Sequence, residues 1–330
     1  VKVEVAYAGG AALIDVPDGC LVLAPADPAQ LADPERAVRE AVRPWLRGVP
    51  PPAVLVLPDN PSFPQSTILP GLLSELARVG LRREVLTVVH GPGLQLDSEF
   101  TEHHPVSVHD TKDLDAHEGV GDVDGVPVYL DRAYVDATTR ITVGLVEPHQ
   151  RCGFTGGPET ICPGIAGHPT VSGLRARTDD PKTEPLLMRG NPVHDFIRAA
   201  VKLAPPRLSL DVTIDGSGRL TGVWCGPLPH SHQAACAFVE QSAVVRVTVR
   251  ADVVVTAGDP VAEAVASAER AVRPGGTIVV VAESRDEAMT ERARVVLSRP
   301  EDVGTVTQSL SPSTAYVLPR APSTVVMVGT

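Results

Sequence analysis

"AVLVLPDNPSFPQSTILPGLLSELARVGLRREVLTVVHGPG", residues Ala53 to Gly93, decides the fold class. It opens on "AVLVLP", an unbroken apolar run ended by proline, which is the form of a strand buried on both faces. "STILPGLLSELARVGL" follows with helical apolar spacing, opened by Ser66 and closed by Gly80. "EVLTVVHGPG" then predicts a second strand running into a glycine loop. Strand, helix and strand in this order form a βαβ unit, which builds a parallel sheet with its ligand-binding loops at the carboxyl ends of the strands. The loops that start at Asp59, His90 and Glu147 are therefore where chemistry is expected.

The same rhythm extends in both directions. Upstream, "CLVLAP" is another apolar run of the buried-strand type, and Asp33 to Leu46 has helical spacing with an Asp-Pro start. Downstream, "RITVGLVEPH" predicts a strand that delivers its last residues into the Glu147 loop. "RLSLDVTIDGSGRLTGVWCG" holds two alternating runs joined by Asp-Gly-Ser-Gly, a β-hairpin signature, and "LPHSHQAACAFVEQ" predicts a helix. From Ala251 the pattern restarts as strand "ADVVVTAG", helix "DPVAEAVASAERAVRPGG" and strand "TIVVVAES". The expectation is an α/β protein of two domains, with parallel or mixed sheets flanked by helices and a ligand cleft between the domains. The boundary is placed near Val245, giving domains 1–245 and 246–330.

Composition narrows the function classes. Across 330 residues, 43% hydrophobic and 21% charged are the proportions of a globular protein, long enough for two separate cores. A net charge of −11 repels phosphate backbones, and no basic block interleaved with aromatics offsets it locally, so nucleic acid is excluded as a partner. No stretch approaches the roughly 20 apolar residues of a membrane span, and no basic region followed by an apolar one marks the N-terminus. The expectation is a cytoplasmic protein with a small-molecule, anionic substrate. Five cysteines without paired C-x-x-C spacing read as free thiols. Only 3% aromatics leaves the core to small and β-branched aliphatics, while the 32 prolines stiffen the loops between apolar runs.

The densest chemistry lies in "EPHQRCGFTGGPETICPGIAG", Glu147 to Gly167. This loop, with "DNPSFPQSTILPGLLSELARVGL" before it and "RGNPVHDFIRAAVKLA" and "AVRPGGTIVVVAES" after it, resembles the lactate racemase family of nickel-pincer nucleotide enzymes. The resemblance runs from about Pro50 to Ser284 and is most specific in the segment from Val126 to Val171. It implies racemisation or epimerisation of α-hydroxy acids by hydride transfer to a nickel-bound pyridinium nucleotide tethered to a lysine. It also implies a histidine on the nickel, two acid/base histidines and basic side chains for the carboxylate.

Role by role, the chain departs from that pattern. His149 matches one acid/base histidine, and the pair Gly156 and Gly157 is kept, a turn able to bring backbone N–H groups to a cofactor. The tethering lysine corresponds to Glu159, which cannot form the attachment. The nickel ligand corresponds to Arg175, whose guanidinium has no lone pair to offer a metal. Gly93 stands where the second histidine is expected, with His90 three residues earlier as a substitute that requires a re-routed loop. Phe63 takes the place of a carboxylate-binding arginine, Pro260 and Glu263 fall where glutamine and lysine are usual, and the C-terminal region is shorter than in the family.

These replacements favour a repurposed cleft. His149 and Glu159 would act as acid and base, and Arg175 as an anion-binding fork, on a small hydroxy or carboxylate metabolite without the tethered nickel cofactor. A structural salt bridge between Glu159 and Arg175 is the plain alternative. Two further readings are a nickel-pincer racemase or epimerase with an untethered cofactor, and a non-catalytic ligand-binding relative. Asp59, Asn60 and Ser62, between a strand and a helix, are candidates to hold a phosphate or hydroxyl, or else local caps. Cys152 and Cys162 could join His149 as nucleophile or zinc ligands, but buried hydrophobic thiols are the stronger reading, so no metal site is expected. His230 and His232, two residues apart on a helix, diverge, so His232 is expected to pack at the helix start. His103, His104 and His109 are expected at the surface.

Overall fold

A computed structural model describes residues 1–7, 10–24, 28–257, 261–282, 295–297, 300–310, 314–319 and 325–328. The chain folds as two compact units, Pro28–Val239 and a second made of Val1–Asp27 with Glu240–Thr330.

The larger unit is built on a six-stranded sheet in the order Leu220–Gly226, Leu208–Ile214, Thr139–Leu145, Ala53–Val56, Leu86–His90, Val106–Val108. Every neighbouring pair is parallel except the hairpin formed by Leu208–Ile214 and Leu220–Gly226. All of Ala53–Val56 is buried, and its side chains divide by the two-residue period of a strand. Leu55 and Val88 join one apolar cluster with Val38, Leu72 and Leu76; Val54, Val56 and Val89 join another with Ile161, Leu174 and Phe196. Helices Pro34–Val42 and Gln65–Arg78 supply the first cluster, and Gly157–Ile161, His168–Arg175 and Pro192–Leu203 the second. The sheet is thus covered on both faces, as its continuous apolar strands require. Each fully buried Val or Leu contributes about 1.5–3 kcal/mol.

Local rules set the ends of these elements. The helix Gln65–Arg78 stops where Gly80 adopts φ 93°, with Gly80 N–H donating to Ala77 O and Leu81 N–H to Leu76 O. This is the double-bonded C-terminal motif that favours glycine. In the hairpin, Gly218 takes φ 78° and its N–H donates to Asp215 O, so the Asp-Gly-Ser-Gly turn forms as expected.

The smaller unit carries a five-stranded parallel sheet, Val295–Leu297, Val272–Val281, Ala251–Ala257, Ala315–Leu318, Leu21–Val22, with helix Val261–Ala271. Three expectations are corrected here. The first 27 residues belong with the C-terminal segment rather than with a domain 1–245, because Leu21 and Val22 pair with Tyr316 and Val317. "CLVLAP" yields a two-residue edge strand whose Leu21 and Val22 are exposed, not a strand buried on both faces. The helix expected to run to Gly276 ends at Ala271, and a ten-residue strand takes over at Val272. Pro260 and the side chain of Glu263 lie outside the described residues. No helix among the described residues is long and apolar enough to cross a membrane.

Candidate active site

The strand Thr139–Leu145 delivers the chain into a tight hairpin in which Pro148–His149 pairs antiparallel with Gly153–Phe154. The turn fixes His149: its Nδ1 accepts the backbone N–H groups of Arg151 and Cys152, each at 3.1 Å. A ring nitrogen that accepts holds a lone pair, so the ring proton sits on Nε2. Asn191, fully buried, clamps the hairpin from outside by donating from Nδ2 to Arg151 O at 2.8 Å. Thr155 secures the strand end, its hydroxyl donating to Leu145 O and accepting from Glu147 N.

The next turn presents Glu159. Gly156 has φ 105°, open to glycine but strained for other residues, and the helix Gly157–Ile161 begins directly after it. Glu159 Oε1 lies 4.0 Å from His149 Nε2 and 3.6 Å from Cys152 Sγ, and the side chains of His149 and Glu159 are 22% and 24% exposed. At 4.0 Å the pair does not share a direct hydrogen bond, but a single hydroxyl or water can contact both.

His149, Cys152 and Glu159 bring three ligand-type atoms within 4.8 Å of one another. Of the two cysteines near His149 in the sequence, only Cys152 joins this group. Cys162 is buried, and burial followed by the Glu159 carboxylate pushes its thiol up to about 12, which removes it as a nucleophile or ligand. The tautomer of His149 also opposes a metal at the triad. A cation on Nε2 would shift the ring proton to Nδ1, against two backbone N–H groups that already point there.

Other expected site residues fall elsewhere. Arg175 is exposed in the last turn of its helix, and among the described residues no ion pair joins it to Glu159. The N–H of Gly157 is taken by the protein's own Asp211 at 2.8 Å rather than left for a cofactor. His90 is buried at its strand end with Nδ1 2.6 Å from Gly91 O. Asp59 accepts from Gly93 N, Asn60 Oδ1 accepts from Ser62 N, and Asn60 Nδ2 donates to Glu147 at 3.4 Å. Of these contacts only the one between Asn60 and Ser62 is local; the other two reach 34 and 87 positions along the chain. Phe63 is buried in the core.

Of the histidines expected at the surface, His109 is instead buried against Asp131, at 3.3 Å, with its Nε2 3.2 Å from Ala166 O. His232 packs in the interior with Nε2 2.8 Å from Thr155 O, and its ring stacks on that of His194. His194 and Arg198 line a cavity with His232. Their i, i+4 spacing in "VHDFIR" was the available signal, since it sets both on one helix face.

A mainly parallel sheet covered by helices on both faces, with the His149 hairpin at a strand end, makes this domain an α/β protein. The family model described as lactate racemase N-terminal domain matches residues 14–181, and the chain belongs to that family. It is similar to lactate racemase of Thermoanaerobacterium thermosaccharolyticum, 26% identical over 68% of this chain and 57% of that protein. It is likewise similar to lactate racemase of Lactiplantibacillus plantarum, 24% identical over 68% and 58%. The matches thus span less than two thirds of these relatives' own lengths. Among solved structures, the T. thermosaccharolyticum lactate racemase apoprotein superposes with TM-score 0.78 at 18% identity, covering 99% of this chain and 100% of that one. A Thermotoga maritima protein does so with TM-score 0.56 at 16% identity, covering 76% and 72%.

Proposed function

We propose that the protein is an isomerase or lyase that moves a proton on a small hydroxy or carboxylate metabolite, with His149 and Glu159 as the working pair. The observation that carries this reading is the fixed tautomer: His149 holds its proton on Nε2, facing a carboxylate 4.0 Å away. Glu159 removes a proton from the substrate, and His149 Nε2–H supplies one to an oxygen of the same substrate. The hairpin and the Gly156 turn hold the two groups in place before substrate arrives.

The side chains at the positions corresponding to the family's tether and metal ligand do not fit a lysine-bound nickel nucleotide. Glu159 offers a carboxylate where an amine is needed, and Arg175 is a solvent-exposed guanidinium. Membership of the lactate racemase family supports a hydroxy-acid class of substrate.

The test is to incubate the protein with a panel of α-hydroxy acids in D2O and follow the substrate carbon by NMR. Proton transfer washes deuterium into that carbon, whereas transfer of a hydride out and back retains the original hydrogen. Turnover with deuterium incorporation, lost in His149→Ala and Glu159→Gln, is the expected result. Unchanged turnover in both variants would sink the assignment.

A further inference from the structure

Within the larger unit, a cavity of about 300 Å³ lies beside Pro158 and is lined by Arg189, His194, Arg198, His232 and Gln233, with apolar side chains completing it. Its polar lining is one-sided: two guanidiniums, two imidazoles and an amide, with no carboxylate. The ion pair of Arg198, to Asp195, is stretched to 3.9 Å, and Arg189 is in no ion pair among the described residues. The volume is that of a site for a small metabolite.

The lining is held in place. Asn191 caps the helix Pro192–Leu203, its Oδ1 accepting from Val193 N at 3.0 Å and His194 N at 3.3 Å, which sets His194 in the first turn. Arg198 follows one turn later on the same face. His232 is anchored through Nε2 to Thr155 O at 2.8 Å, and its ring lies nearly parallel to that of His194, centroids 6.3 Å apart. His194 is buried, and burial first, then His232 and Arg198, hold it down to about 4. The surroundings therefore resist another positive charge and are relieved by a negative one.

The geometry points to an oxyanion site: this cavity binds the phosphate or carboxylate group of a small ligand, with Arg198 and Arg189 supplying charge and His194 a ring N–H. Guanidiniums offer paired donors to either group, and such charge-assisted bonds are the strong ones. The site does not depend on the proton-transfer reading, because neither His149 nor Glu159 lines the cavity.

The test is titration of the full chain with inorganic phosphate and, separately, with lactate at matched ionic strength, read by calorimetry and by the NMR titration of His194. Saturable binding of either anion, an upward shift of the His194 titration, and affinity weakened about tenfold or more in Arg198→Gln are expected. Phosphate alone assigns a phosphoryl ligand and lactate alone a carboxylate. His149→Ala/Glu159→Gln protein binds as the parent does, which separates this site from the catalytic proposal. If Arg198→Gln is misfolded by circular dichroism, the exposed Arg189→Gln makes the same comparison. No saturable response to either anion, or the same affinity in parent and folded variant, overturns the inference.

Discussion

Asp211 Oδ1 lies 2.8 Å from the backbone nitrogen of Gly157, and both residues are sealed from solvent. The carboxylate rises from the strand Leu208–Ile214, and its second oxygen accepts the Ser209 hydroxyl at 2.9 Å. The turn can come this close because residue 144 is glycine: a Cβ there would sit 2.3 Å from Gly157 N. A buried acid on the face of the sheet thus fixes the helix start that presents Glu159.

Asp211→Ala leaves the Gly157 N–H and the Ser209 hydroxyl without their buried partner, and is expected to cost roughly 3 kcal/mol. Asp211→Asn keeps an acceptor for Gly157 and is expected to recover most of that loss. Urea denaturation of the two variants against the parent measures both.

Acid should destabilise the protein through His194. Its value in the fold is about 4, below the ordinary value of about 6.5, so between those limits the unfolded chain binds more protons. Stability therefore falls as pH drops through that window, by up to about 3 kcal/mol, and this contribution does not change above or below it. A denaturation series across the window should show a shallower slope in His194→Gln.

Restoring the histidine expected at position 93 should strain the loop. A Cβ on Gly93 would stand 2.7 Å from Asp59 Oδ1, so Gly93→His must push aside an exposed aspartate and break its bond to the residue 93 N–H. The expected cost is about 1 kcal/mol. In the Asp59→Ala background the same change should cost less, an interaction that a double-mutant cycle reads directly.

Thiol labelling should be graded. Burial pushes Cys162 up to about 12, so iodoacetamide at pH 8 should spare it until the chain unfolds. Cys20, half-buried, should react before it. Peptide mass spectrometry at increasing urea separates the two classes, and early modification of Cys162 would contradict the packing around it.

The βαβ core was legible because its signals are local. Leu55 and Val88 on one face, and Val54 and Val89 on the other, are consequences of unbroken apolar runs, and Gly80 marks the helix end by its conformation. His149 stands out in the sequence because it follows the end of an apolar strand run, in Glu-Pro-His. Contacts between distant segments were not legible. That Cys152 rather than Cys162 meets Glu159 depends on a hairpin that folds back within five residues. Burial of His109 depends on Asp131 and Ala166, far along the chain. Asp211 looked like any polar residue in an alternating strand, and only the Gly156 turn lying over it gives it a task.

The discontinuous smaller unit has a consequence for how the protein is made. Leu21 and Val22 leave the ribosome well before their strand partners, Tyr316 and Val317. Residues 28–239 form a contiguous compact body that can collapse while synthesis continues, whereas the opening segment must wait for its partners. Translation order thus imposes an assembly order: the unit bearing His149 and Glu159 forms first, and the unit that pairs Leu21 and Val22 with Tyr316 and Val317 is completed second.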